Sequence, residues 1–416
     1  MKFCTNKINV LYVCRLFNGL ETSIKYKVWN PTGVPTIYRM INALDKNPEY
    51  NLDLVVTSKG DQPDWHYGLV KKINIKHLSS TVTILYSFGS KFGKIGLLFQ
   101  ETFHLLYILI KILFNRYDCL YVDHANIYIG SIVSRVRLLP VIFRLMGVYP
   151  AMRKVVSDNG VKNKIFRWLY RSPFSMVVCT QDGSGIEPWL KKSIEKNVPI
   201  YDLINGVECK KPTLDQLTNV YVKYSIPRNK ILVLFLGKLE KIKGIYEFLE
   251  GFGIANRECG GDLHAIVVGC GNQFSCIKKM THGDKSVTLI PRVAHSEIFN
   301  FHKIADIYIS PNRLANLTNA NLESMSSGGC IIIPQSQPDT FVDIVVDGLL
   351  SNSAVYRIKF PPSGDGIAKA IVKLFDSPEL RSTLSNNVVI ESGKFITSWD
   401  DRIEKELKLI KSIVNQ

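Results

Sequence analysis

Five short apolar runs in the second half of the chain, at 231–237, 263–269, 287–291, 307–311 and 330–334, each stop at a glycine or a proline, with ends roughly 20 or more residues apart. Continuous apolar runs suit strands covered on both faces, and the spacing leaves room for the crossover helix that parallel neighbours require. A βαβ series of this kind builds a doubly wound α/β domain. The first half repeats the style less regularly, with runs at 8–14, 52–57, 118–123, 140–145 and 174–180. Two such domains are expected, at 1–210 and 211–395, connected near 209–225 and followed by a helix at 396–416 that packs back on the first domain. Length agrees, since 416 residues at ~150 per domain make two or three domains. A chain 46% hydrophobic and 21% charged is globular, which excludes a disordered tail, a collagen and a small disulfide scaffold.

In open parallel sheets a ligand sits beyond the carboxyl ends of the strands, where helix N-termini turn unpaired N–H groups toward anions. After the run at 231–237 comes Gly237-Lys238-Leu239-Glu240-Lys241-Ile242-Lys243-Gly244, which places Lys238 and Lys243 across a loop and a first helical turn. Such cations hold a diphosphate or else form a solvated loop. The run at 307–311 leads through Asn312-Arg313-Leu314-Ala315-Asn316-Leu317-Thr318-Asn319 into a helical stretch carrying Glu323, with Thr318 or Asn319 suited to its N-cap. In the first half, Gly33 lies in Asn30-Pro31-Thr32-Gly33-Val34-Pro35-Thr36, ahead of the helical spacing Ile37, Met40, Ile41, Leu44. A glycine there lets the backbone approach a pyrophosphate, or simply turns the chain. Asp123 and His124 end the strand that begins near Tyr117; a lone histidine is more often satisfied within the fold than used.

Taken in order, these segments resemble glycosyltransferase family 4, the retaining nucleotide-sugar transferases of GT-B fold. The stretch 237–244 is similar to the family's G-R-L-x-x-x-K-G, with Lys238 where the family has Arg. Ile204-Asn205-Gly206-Val207-Glu208 is similar to N-G-V-D, and Val267-Val268-Gly269-Cys270-Gly271 to V-G-x-G. Ala305 through Pro311 resembles A-D-x-x-x-x-P-S, Asn321 through Gly328 resembles L-L-E-A-M-A-x-G, Asp343 through Gly348 resembles E-I-V-x-D-G, and Trp399 opens a last amphipathic helix. The likeness is good over 200–415 and loose over 1–200.

The resemblance implies two Rossmann-like domains facing a central cleft, the first for an acceptor and the second for the donor. It implies that Lys238 and Lys243 stabilise a leaving diphosphate while Glu323 holds the ribose. Gly33, Gly237, Arg292, Asn316, Leu317, Thr318 and Asn319 would surround the donor, and His124 and Arg144 would meet the acceptor. Two positions depart from the pattern: the family's earlier glutamate falls on Ala315, and its histidine before glycine falls on Met146. An alanine side chain has no oxygen for sugar hydroxyls, so Asn316, Thr318 or Asn319 would hold the sugar, or the donor differs, or activity is impaired. The expected activity is retaining, metal-independent transfer from a UDP- or GDP-linked sugar to a glycan or lipid-linked acceptor of a bacterial surface polysaccharide, with no cofactor; the chain has no D-x-D triplet. The alternatives are a nucleotide-sugar-binding protein of the same fold without turnover and, less well supported, a nucleotide-sugar epimerase, for which no convincing carboxylate pair is found.

Lys plus Arg (52) exceeds Asp plus Glu (36), a net charge of +16 that calls for an anionic partner. Between Arg135 and Arg171 nine basic residues (135, 137, 144, 153, 154, 162, 164, 167 and 171) face one acidic residue, Asp158. Phe143, Tyr149, Phe166, Trp168 and Tyr170 are interleaved. That mixture suits an anionic lipid surface better than RNA, since no nucleic-acid motif accompanies it; a solvated face is the plainer alternative. Nine cysteines without a C-x-x-C pair read as reduced thiols, and the start lacks a signal peptide's cleavage region. A cytoplasmic protein, peripheral on the inner face of the membrane, is expected. The stretch 95–114 is apolar but interrupted by Gln100, Glu101, His104 and Lys111, which suits a buried or interfacial helix rather than a spanning one.

Overall fold

The structure is a computed structural model that describes residues 7–58, 66, 68–88, 93–208 and 211–415. Residues 1–6, Cys4 among them, and Cys209 lie outside the described residues, as does the start of the expected connection at 209–225. The chain divides into two compact units: Met1–Thr180 with Glu187–Leu203 and Asp401–Gln416, and Gln181–Ile186 with Ile204–Asp400. The division falls at 203 and 400 rather than at 210 and 396, and the last helix belongs mostly with the first unit. The chain leaves the first unit at 203, returns to it after 400, and lends the second unit a short loop from 181 to 186.

The first unit is built on eight strands: β1 (Ile8–Arg15), β2 (Tyr50–Thr57), β3 (Val70–Ile73), β4 (Val82–Leu85), β5 (Cys119–Asp123), β6 (Val141–Leu145), β7 (Met176–Thr180) and β8 (Ile200–Leu203). Their order is β3-β4-β2-β1-β5-β6-β7-β8, parallel throughout except for the β3–β4 pair. The unforeseen strands, β3, β4 and β8, are four residues long, and β3 (VKKI) and β8 (IYDL) carry charge, too little apolar run to declare themselves. From β4 to β5, β5 to β6 and β6 to β7 the chain steps in one direction across the sheet, so right-handed crossovers put the helices Gly93–Phe114, Ile127–Arg135, Pro150–Ser157 and Val161–Tyr170 on one face. The opposite step, β1 to β2, puts Asn18–Lys25 and Pro35–Lys46 on the other, the latter burying Ile37, Met40, Ile41 and Leu44 as the spacing predicts.

The helix Trp399–Val414 fastens its later turns to this unit through a buried charge. Glu406, 0% exposed, accepts hydrogen bonds from Tyr121 and from Arg402 (2.6 Å), and Arg144 Nε lies 3.5 Å away. Arg144 also donates to the carbonyls of Leu145 and Val178 and to Thr180 Oγ1. Burial alone would push the Glu406 carboxyl up, but the Arg144 and Arg402 guanidiniums hold it below its ordinary value. This corrects the expectation for Arg144: it is a wholly buried structural cation with no surface to offer an acceptor, and it leaves the basic face one charge poorer.

The second unit holds six parallel strands, β9 (Ile231–Leu236), β10 (Leu263–Val268), β11 (Val287–Ile290), β12 (Ile307–Ile309), β13 (Ile331–Pro334) and β14 (Tyr356–Ile358), in the order β11-β10-β9-β12-β13-β14. Successive residues of β9 feed opposite cores, Val233 and Phe235 one and Leu232 and Leu234 the other, which is why the run is apolar throughout. The three-residue β14 is the strand that the sequence conceals.

Glu406→Gln should leave two buried guanidiniums without a counter-charge and cost about 3–5 kcal/mol in denaturant unfolding at pH 7. Because its folded-state pKa is depressed, the wild-type carboxylate contributes fully above the unfolded value, and that part is lost as pH falls through the folded one. The variant should not show this loss; equal acid sensitivity in both proteins would contradict the assignment.

Candidate functional site

In the second unit β9 leads outward to β10 and β11, after which the chain returns to β12 on the other side of β9. The loops leaving β9 and β12 therefore depart in opposite directions, and a crevice opens beyond their carboxyl ends. Both lysines and the stretch leading to Glu323 stand on these two loops.

Glycines bring the loops close together. A Cβ at Gly269, after β10, would collide with Gly237 O, and one at Gly271 would lie 2.5 Å from Leu239 O. Three hydrogen bonds stitch these backbones: Gly237 N to Val268 O (3.0 Å), Leu239 N to Cys270 O (3.1 Å) and Gln273 N to Leu239 O (3.0 Å). On the other side, Arg313 N donates to Ile242 O (3.2 Å), and Gly244 (φ 77) packs on Pro311. The V-G-x-G turn and the K-G end are thus requirements of backbone contact.

On this frame Lys238 is exposed, while Lys243, in the turn Lys241–Lys243, is half-buried. Burial holds the Lys243 pKa below the ordinary lysine value; the Asp182 and Glu240 carboxylates oppose that, and the Lys238 ammonium adds to it. The two ammonium groups are therefore near enough to repel. Lys243 N donates to Glu240 O (2.9 Å), but among the described residues its ammonium makes no hydrogen bond or ion pair, so it is a partly desolvated cation without a fixed counterion.

The loop after β12 is held by buried polar groups. Asp343, 1% exposed, accepts from Asn316 N (2.7 Å) and Asn316 Nδ2 (2.6 Å), and its own amide donates to Gly183 O (2.7 Å). Burial pushes the Asp343 carboxyl up to about 7, against the pull of those two bonds. Leu317 N donates to Asp182 O (2.9 Å), and Asn321 Nδ2 to Asn316 O (3.0 Å). Asn316 and Leu317 are both fully buried, with side chains and amides already engaged, so their expected donor contacts are corrected to a structural role. Ala315 is buried as well.

Thr318 is the N-cap of the helix Asn319–Ser327, accepting from Asn321 N (3.4 Å), and Asn319 Oδ1 accepts from Asn205 Nδ2 (2.7 Å). Among the described residues the amides of Asn319 and Ala320 have no hydrogen-bond partner, and they open on the crevice side of the helix. Glu323, 4% exposed, is held by His295 Nε2 at 2.8 Å from Oε1. Arg292 is exposed on the same loop after β11, 3.8 Å from Cys270 Sγ.

The first unit offers less. Gly33 has φ 99 and open space around it, Phe17 being the nearest neighbour at 3.9 Å. His124 stacks on Tyr170 (5.8 Å between rings) and bonds its hydroxyl; burial lowers it to about 4, so it is neutral. That is a structural histidine. Asp123 accepts from Arg15 N (2.7 Å) and Asn126 Nδ2 (2.7 Å).

Two participants escape a sequence reading. The glycines in Asp182-Gly183-Ser184-Gly185, directly after a strand, could have flagged the short loop that the first half lends to the second unit. Nothing marks His295.

Residues 220–389 match the model of the family described as Glycosyl transferases group 1. A curated relative, an uncharacterized glycosyltransferase of Methanocaldococcus jannaschii, is 24% identical over 229 residues, 53% of this chain and 54% of its own. The chain thus spans about half the length of that relative. Together these support a glycosyltransferase. Among solved structures, the Anabaena protein HepE in complex with UDP and glucose is similar at TM-score 0.65 and 12% identity, covering 97% of this chain and 100% of that one. WaaG, a glycosyltransferase involved in lipopolysaccharide biosynthesis, is similar at TM-score 0.64 and 12% identity, covering 97% and 99%. At such identities the likeness bears on the fold, which is GT-B. The group 1 match contains β9 to β14, hence Lys238, Lys243, Glu323 and Asp343.

Gly269→Ala should destabilise the second unit far more than Gly237→Ala, because only the former meets backbone, although both need positive φ. A difference of about 2 kcal/mol or more is expected. Equal melting temperatures would contradict the close stacking.

Proposed function

We propose that this protein is a retaining, metal-independent glycosyltransferase that moves a sugar from a UDP- or GDP-linked donor to a glycan or lipid-linked acceptor of a bacterial surface polysaccharide. The observation that carries the reading is Lys243, desolvated and without a counterion at the β9–β12 switch point, on a loop tied to the one that leads into the helix Asn319–Ser327. In sugar transfer from a nucleotide diphosphate, positive charge develops at the anomeric carbon and negative charge on the departing phosphate. Two ammonium groups and the amides at a helix mouth stabilise that anion without rearranging.

In this reading Lys243 and Lys238 take the diphosphate, the amides of Asn319 and Ala320 share its charge, and Glu323 accepts from the ribose hydroxyls. Arg292 and Gly237 border the nucleotide, and Thr318 and Asn319 are left to orient the sugar, since the Ala315 side chain has no oxygen and its carbonyl is taken by Asn312. HepE's complex with UDP and glucose supports a uridine donor, and WaaG's involvement in lipopolysaccharide biosynthesis supports a surface glycan. Cytoplasmic placement, with basic residues of the 135–171 segment toward an anionic membrane, suits a lipid-linked acceptor.

A panel of UDP- and GDP-sugars with purified protein tests this directly: product should form with one donor class and persist in EDTA. Lys243→Ala should lower turnover roughly a hundredfold to a thousandfold with little change in melting temperature. Near-normal turnover in that variant would remove the leaving-group role, and nucleotide binding without product from any donor would favour a binding protein of the same fold.

A further inference from the structure

We infer that the helix Gly93–Phe114 lies flat in one leaflet of an anionic membrane, with its outer side among the acyl chains. The polarity of this helix is inverted. Its buried positions are Gly96, Gln100, His104 and Ile108, one per turn. Gln100 accepts from Ser87 Oγ (3.0 Å) and donates to Ser58 O (3.0 Å), and His104 Nε2 lies 2.7 Å from Tyr86 O. Glu101 takes Arg15 at 2.9 Å, and Lys111 pairs with Asp53. The apolar residues point away: Leu98 is 70% exposed, Leu106 53%, Ile110 55%, Leu113 67% and Phe114 82%. A helix facing water does the reverse, with its apolar stripe inward.

The 22 residues have the length and hydropathy of a membrane span, and only 17% of the most apolar window is buried. Yet the helix is the crossover between β4 and β5, and its polar stripe is bonded along its length to its own unit. It therefore rests parallel to the surface, one side on protein and the other in lipid.

Charge selects the occupant. Lys94 and Arg116 are exposed near the two ends of the helix, suited to reach headgroups while the stripe between them is immersed. The neighbouring helix Ile127–Arg135 packs beside it, and Val161–Tyr170 beside that, on the same face. There Val161, Ile165 and Trp168 are exposed at one-turn spacing among exposed Lys162, Lys164 and Arg171. An apolar strip framed by cations matches anionic headgroups over acyl chains, whereas two such faces of a dimer would repel. This deepens the membrane reading above and rests on it only for the sign of the headgroups.

The full chain should float with vesicles of phosphatidylcholine and phosphatidylglycerol, less with phosphatidylcholine alone, and less in high salt. The double variant Leu106→Asp, Ile110→Asp changes only exposed side chains, so it should keep the wild-type melting curve and lose partitioning by about tenfold or more. Leu106→Met should bind as wild type does. The inference fails if wild type stays unbound, if the double variant floats equally well, or if sizing shows a dimer that the double variant converts to monomer. Transfer to a soluble acceptor is measured alongside: wild type that transfers but does not float sinks only this inference, and wild type that floats without transfer sinks only the enzymatic reading.

Discussion

Two parallel strands cannot be joined by a tight turn, and that constraint organises both units. Apart from the antiparallel β3–β4 pair, the connections between the described strands must cross over, so the loops that leave their carboxyl ends gather at one edge of each sheet. Where the strand order reverses, adjacent loops part and leave a crevice, in the second unit between β9 and β12. The chemistry collects there because backbone amides, helix mouths and side chains from strands far apart in sequence are delivered to one place.

Desolvation then decides which polar groups are structural and which remain open. Asp343 and Glu406 are both buried carboxylates, and each is surrounded by donors: the amide and side chain of Asn316 in one case, Tyr121 and two arginines in the other. Each of their oxygens is already bonded within the fold. Lys243 is different. It is half-buried, its charge is disfavoured by the surroundings, and its neighbouring carboxylates act at a distance rather than in a bond. A cation in that condition gains most from an incoming anion, whereas the paired ones would have to break a bond first.

The position of Lys243, Glu323 and the glycine turns beyond strand ends was legible in the chain because each belongs to a local pattern there. Arg144, Asn316 and Leu317 were misread for one reason. Their local setting at a strand end resembles that of ligand-binding residues, but their partners lie elsewhere: Asp343 is 27 residues beyond Asn316, and Glu406, which receives Arg144, comes from the last helix. No window of sequence contains both halves of such a contact.

What the sequence determined by itself is the class of fold. Continuous apolar runs at crossover spacing admit little besides parallel sheets covered on both faces, and glycines at their ends mark where backbones meet. It also determined that 95–114 would be an apolar helix interrupted by Gln100, Glu101, His104 and Lys111. Only the tertiary structure decided which side of that helix faces in, because hydrophobicity records how strongly a side chain avoids water and not which neighbour will shield it. Here hydrogen bonds from Gln100 and His104 to the first unit fixed the polar side inward, leaving the apolar side for another solvent.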